Sequence, residues 1–179
     1  MTDILALDLA TVTGWARGQI GEQPTFGSIR FGKGNDVNNA IFGRALRWIS
    51  ETLQPQPRPD ILILEAMLPP TVKVGKTSRD VRDRLAGLHG IFRGVAYLRS
   101  VGEIAEASVG DVRAHFIGIR TAKRVTAKHL TMERCKRLGW QVQNDNEADA
   151  IALWSYACGL IDPQTALNVV PLFNRRLIA

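Results

Sequence analysis

The stretch "ILALDLATVTGWA" (Ile4–Ala16) decides how the chain is read. Its apolar run has the character of a buried strand, yet it carries a carboxylate, Asp8, near the middle. A lone ionised carboxylate in an apolar interior costs several kcal/mol even after relaxation. Asp8 therefore predicts a compensating group opposite it. A second stretch repeats the problem: "DILILEAM" (Asp60–Met67) is again apolar and strand-like, with Glu65 near its end.

The segments around these two place them in a fold. "TGWARGQI" (Thr13–Ile20) and "TFGSIRFG" (Thr25–Gly32) alternate and are joined by "GEQP", which suggests an antiparallel meander. Asn35 or Asp36 is positioned to cap a helix whose apolar face is Ala40, Ile41, Ala45, Leu46, Ile49 and Leu53. "QPQPRP" ends it, and "LPPTVKVGKTS" (Leu68–Ser78) reads as a loop. Arg79–Leu98 has helical spacing at Val81, Leu85, Leu88, Phe92, Val95 and Ala96, with Ser78 or Asp80 as its cap. Its glycines, Gly87, Gly90 and Gly94, suggest close packing, with a second subunit as one candidate neighbour. "EIAEAS" is a short strand, "VGDVRAHFIG" a short helix, "IRTAKR" a basic turn, and Lys123–Leu138 and Asn146–Leu160 are helices. The fold class is α/β: a mixed central sheet, an antiparallel meander plus parallel strands, with helices on both faces. One domain over residues 1–179 is expected, with 163–179 a tail of undetermined structure.

A right-handed helical crossover sets the Asp8 and Glu65 strands side by side and parallel. Two unit charges about 4 Å apart at an effective dielectric of about 20 repel by about 4 kcal/mol. Such a pair needs a shared proton or a cation. "NDNEADAIAL" (Asn144–Leu153) adds Asp149 in the first turn of a helix. Asp145 and Asn146, four and three residues earlier, share its face if the helix starts early enough. Acids at helix starts commonly serve the dipole or a cap, a job that suits Glu147. With two strand-borne carboxylates, Asp149 instead favours a cation. Oxygen-only ligands suit Mg²⁺ or Mn²⁺, and a pair of ions roughly 3.5–4 Å apart suits phosphodiester hydrolysis.

The charge points the same way. Net charge is +6, yet Lys73–Arg137 holds 15 Lys and Arg against 6 Asp and Glu, a net of +9, leaving −3 elsewhere. A block this one-sided predicts a polyanionic partner, most simply nucleic acid. Cys135 and Cys158 lack metal-ligand spacing and read as reduced, buried thiols, which suggests the cytoplasm. There is no membrane-spanning run and no signal peptide, since Asp8 interrupts the N-terminal apolar stretch. His89, His115 and His129 carry no pattern of catalysis, and the four tryptophans read as core.

"ILALDLATVTGWA", "ILILEAM" and "NEADAIAL" together resemble the three acidic motifs of RuvC-type Holliday-junction resolvases, within the ribonuclease H-like superfamily. The resemblance runs from about Ile4 to Leu160. It implies a homodimer that binds four-way or other branched DNA and makes paired nicks with divalent metal, using no small-molecule cofactor. By position it implies metal-binding catalytic roles for Asp8, Glu65 and Asp149, with Asn146 or Asp145 assisting. "DVRAHFIGIRTAKR" matches the family's basic region, making Arg113, Arg120, Lys123 and Arg124 candidate DNA contacts, with Lys128 in reserve. Lys73 and Lys76, in the loop after Glu65, are placed to enter a junction's open centre.

The chain departs from the family in three places. Leu9-Ala10 replace the usual Pro-Gly after the first Asp. Asn146 stands where Asp or His is usual, and Met67-Leu68 where an aromatic residue follows the Glu. Two other classes share features with the sequence. One is a non-catalytic ribonuclease H-like protein that binds nucleic acid. The other is a phosphotransferase of the actin and sugar-kinase type, although no second phosphate loop is present.

Overall fold

A computed structural model describes residues 1–33, 36–54, 56–67 and 79–164, and among them are five strands and five helices in the order β-β-β-α-β-α-β-α-α-α. The strands are β1 (Asp3–Asp8), β2 (Val12–Gln19), β3 (Thr25–Arg30), β4 (Ile61–Glu65) and β5 (Glu103–Ala107). The helices are α1 (Asn38–Thr52), α2 (Arg79–Leu98), α3 (Val109–Ile117), α4 (Arg124–Arg137) and α5 (Asp145–Ile161). The sheet order is β3-β2-β1-β4-β5. β1 to β3 form the antiparallel meander, and β1, β4 and β5 are parallel neighbours. This is the expected mixed architecture.

Strand alternation explains the two layers. Leu5, Leu7, Leu62 and Leu64 point to one face and pack with Ile41, Ala45 and Ile49 of α1 and Leu88 and Phe92 of α2. Ile4, Ala6, Ile61 and Ile63 point to the other face and pack with Ile151 and Trp154 of α5 and Phe116 of α3. Fully burying each large aliphatic or aromatic side chain contributes about 1.5–3 kcal/mol. The second face is rich in alanine: Ala6 and Ala16 on the strands, and Ala148, Ala150, Ala152 and Ala157 on α5. Small residues on both surfaces let α5 lie close to the sheet.

Parity then puts four positions in one line across that face. Leu7 pairs with Leu64, so the next residues, Asp8 and Glu65, are neighbours one step further along the two parallel strands. Asp8 pairs with Gly14, and Gly14 pairs with Ser28. Glu65, Asp8, Gly14 and Ser28 thus form a row across β4, β1, β2 and β3, on the side covered by α5. Gly14 is where the helix comes closest. A Cβ there would overlap the backbone carbonyl of Asn146 and lie 3.2 Å from Ala150 Cβ.

Several local expectations are corrected. α1 is capped by Val37 with no side-chain bond. Asp36, one residue earlier, instead accepts from the Lys33 N–H and pairs with Arg44 at 2.7 Å. Leu46 is exposed, because about 100° per residue carries it to the margin of the Ile41–Ala45–Ile49 face. Val81 is exposed in the first turn of α2, before that helix reaches the core. Gly87 has its close neighbour inside the chain, the Phe42 ring of α1, whereas Gly90 and Gly94 have open space around them. Asn35, Leu68, Lys73, Lys76, Ser78 and the tail from residue 165 lie outside the described residues.

Two glycine substitutions separate these roles. Gly14→Ala should lower unfolding stability by about 1–3 kcal/mol, since a backbone carbonyl must move. Gly43→Ala, on the exposed side of α1 with open space around it, should raise stability by roughly 0.5–1 kcal/mol. Urea midpoints check both, and an unchanged midpoint for Gly14→Ala would refute the close approach.

Candidate metal centre and nucleic-acid interface

Asp8 and Glu65 are the last residues of two adjacent parallel strands and face α5 by parity. Asp149 lies one turn into α5, which starts at Asp145 with Asn144 as its N-cap. The three carboxylates act on one another electrostatically. Burial, then Glu65, then Asp149, push Asp8 well above the usual carboxylate range. Burial and then Asp149 push Glu65 up to about 7. Burial also raises Asp149. All three residues keep partial solvent access.

Three cations partly offset this repulsion. Lys128 and Arg124 of α4 lower Asp8, and Arg113 of α3 and Arg124 lower Glu65. Lys128, Arg113 and Arg124 all lower Asp149. α3 is capped by the Ser108 hydroxyl, which accepts from the Asp111 N–H, and its exit at Gly118 is left-handed. That turn leads the chain into α4, so Arg113, Arg124 and Lys128 reach the acids from two successive helices.

The remaining candidates have other surroundings. Asp145 forms an ion pair with Lys128. Asn146 is half-buried, with its backbone carbonyl over Gly14. Arg120 pairs with Asp111 and lies along Gly110, which ties it to the start of α3. Lys123 is the exposed N-cap of α4. Lys73 and Lys76 are outside the described residues. Burial pushes the Cys135 and Cys158 thiols up to about 12, so neither is a nucleophile at neutral pH. His115 meets the Ser155 hydroxyl at 3.1 Å, and buried His89 lies 3.6 Å from Glu106.

The donor set is chemically suited to a hard dication: carboxylates and an amide, half-buried, whose mutual repulsion such an ion would remove. Among the described residues, no group of three His, Cys, Asp or Glu side chains is drawn together tightly enough to enclose an ion as it stands. The side chains would have to converge on one. Sequence reading did not find Ser28, which reaches the start of α5 from β3: its hydroxyl donates to Glu147 at 3.2 Å. A lone serine in a strand carries no signal of such a contact.

No family model matches this sequence, and no curated protein sequence matches it. Solved structures do. Thermus thermophilus RuvC matches at 13% identity with a TM-score of 0.63, over 98% of this chain and 96% of that one. T. thermophilus RuvC in complex with a Holliday-junction substrate matches at 14% identity and 0.65, over 86% and 90%. The yeast mitochondrial Holliday-junction resolvase Ydc2 matches at 11% identity and 0.58, over 99% and 85%. The chain has the RuvC-type, ribonuclease H-like fold.

Proposed function

We propose that this chain is a structure-selective endodeoxyribonuclease. In this reading it resolves four-way or other branched DNA junctions by metal-dependent phosphodiester hydrolysis, as a homodimer making paired nicks. The observation that carries the reading is the electrostatic convergence of Asp8, Glu65 and Asp149 beside three cations. The junction bound to a structural neighbour supports the choice of substrate.

Asp8, Glu65 and Asp149 would hold Mg²⁺ or Mn²⁺, with the Asn146 side-chain amide as a neutral donor. Bound dications supply an activated water and charge neutralisation at the leaving oxygen. Asp145 stands back from that role and fixes Lys128. Arg113, Arg124 and Lys128 orient the scissile phosphate and offset charge on its oxygens. Lys123 and the rest of the basic block track the flanking backbone. A four-way junction has approximate two-fold symmetry, so paired nicks need two copies. The exposed Gly90, Gly94 and Tyr97 of α2 favour that helix as the interface. The whole reading treats the chain as one nuclease domain. Free, buried Cys135 and Cys158 suit a reducing cytoplasm, bacterial or phage-infected. Among the described residues no helix is long and apolar enough to cross a membrane.

Nicking of a four-way junction, a fork and a plain duplex in Mg²⁺ and in Mn²⁺ tests the reading. Asp8→Asn, Glu65→Gln and Asp149→Asn should each lower nicking by about 100- to 1,000-fold while leaving junction binding in place. Binding should weaken steeply as salt rises. Tight junction binding with no nicking in either metal would favour the non-catalytic alternative, which Asn146 in the acidic motif also suits.

The raised carboxyls also predict how metal-free stability changes with pH. Glu65 titrates near 7 when folded, against an ordinary value of 4.5, so the folded state favours its protonated form. Stability is therefore lost as pH rises through that interval. Glu65→Gln removes the loss and should unfold later than wild type at pH 8, by on the order of 2 kcal/mol. The gap should close toward pH 4.5 and reverse in saturating Mg²⁺. Urea unfolding in chelator checks this, and a less stable Glu65→Gln at pH 8 would rule it out.

A further inference from the structure

The start of α5 is held from the sheet edge opposite the acids. Asn144 and Glu147 cap each other: Asn144 Oδ1 accepts from the Glu147 N–H at 3.1 Å, and Asn144 Nδ2 donates to Glu147 Oε1 at 3.0 Å. Glu147 Oε2 accepts from the Gln143 N–H at 2.8 Å. A helix cap needs nothing more. Ser28 adds a link that a cap does not need. Its hydroxyl donates to Glu147 Oε1 at 3.2 Å and accepts from Asn144 Nδ2 at 3.0 Å. Glu147 is 7% exposed and forms no ion pair among the described residues. Its buried carboxyl group is held by hydrogen bonds, which are geometrically strict.

Ser28 also belongs to the row Glu65–Asp8–Gly14–Ser28. Two strand spacings, about 10 Å, separate it from Asp8. Along α5, Glu147 and Asp149 are about 3 Å apart in rise, within one rigid turn. The helix start is thus seated at two points of the row. Ser28 pulls on Glu147 and Asn144, while Gly14 sets how far the Asn146 carbonyl can descend. A hydrogen-bonded anchor and a steric stop together fix the height and rotation of the turn that carries Asp149.

We propose that Ser28, Asn144 and Glu147 form a positioning clamp that sets the spacing of Asp149 from Asp8 and Glu65, and so the affinity of that site for a divalent cation. The clamp rests on the reading of the three carboxylates as a cation site. In this proposal Ser28 and Glu147 are positioning residues and not ligands. They act through the helix.

The test is a Mn²⁺ titration of the full chain, followed by the paramagnetic resonance of free Mn²⁺, with nicking measured in parallel. Ser28→Ala should weaken Mn²⁺ binding about tenfold, and Ser28→Thr, which keeps the hydroxyl, should restore it. Ile29→Ala is the control: it lies on the same strand but packs on the opposite face. It should lower the urea midpoint at least as much as Ser28→Ala and leave Mn²⁺ affinity unchanged. Wild-type Mn²⁺ affinity in Ser28→Ala, or equal loss in Ile29→Ala, overturns the clamp. Mn²⁺ binding without nicking in wild type would sink the nuclease reading alone, with the clamp still judged by the titration. No Mn²⁺ binding in wild type would sink both.

Discussion

The Asn146 carbonyl rests where Gly14 has no side chain, and the rest of the candidate site follows from that contact. A helix packed on a sheet normally keeps about 10 Å between axis and strands, held off by side chains on both surfaces. Here the alanines of α5, Ala6 and Ala16 thin that layer, and Gly14 removes it locally. The first turn of α5 comes down onto the strand next to Asp8. Asp149 is then brought beside two carboxylates that the sheet has already placed together. With a side chain at Gly14, the first turn of α5 would be held off the sheet, and Asp149 would stand further from the two strand acids.

Their meeting is unfavourable in itself. Each acid is raised by burial, and Glu65 is pushed up to about 7 with Asp149 adding to the effect. The fold tolerates this in part because Lys128 and Arg124 of α4 and Arg113 of α3 act on the acids. These cations lower every acid, yet burial keeps all three raised. The site is, in the nuclease reading, balanced between its own basic side chains and an external dication. In the nuclease reading, a dication that takes over the acids leaves the basic side chains to a phosphate. Metal and DNA would then favour each other's binding through simple charge redistribution, with no change of shape.

Much of this was legible in the sequence. Continuous apolar runs located the β1 and β4 strands, and a parallel crossover made Asp8 and Glu65 neighbours, because strand parity has only two choices and the core decides between them. The helical spacing of α5 carried Asp149 toward the same face. What was not legible depended on pairings between distant residues. Ser28 and Glu147 are 119 positions apart. Asp145 looked like a ligand by its spacing, yet it pairs with Lys128 across two helices. Arg120 reads as a candidate DNA contact in a basic turn, and nothing local there shows that it pairs with Asp111. Local pattern gives the face on which a side chain lies. It does not give the partner that a long charged side chain finds there, because several partners are within reach of the same stem.

The low identity to the structural neighbours, 11–14%, fits this division. A strand keeps its place in the sheet as long as alternate residues are apolar, and many residues meet that condition. The fold can therefore persist while nearly every side chain changes. A polar row on one face is far less tolerant, since each position needs a particular charge, size or hydrogen bond. In this chain those demands fall on few residues: two strand acids, a glycine, a serine, and one turn of helix. Asn146 shows where the demand is loose. Its backbone carbonyl sets the height of the helix whatever its side chain, so Asn can stand there without moving Asp149. In the nuclease reading the side chain at 146 would set the charge offered to a cation, while the glycine opposite it sets how near Asp149 comes to the strand acids.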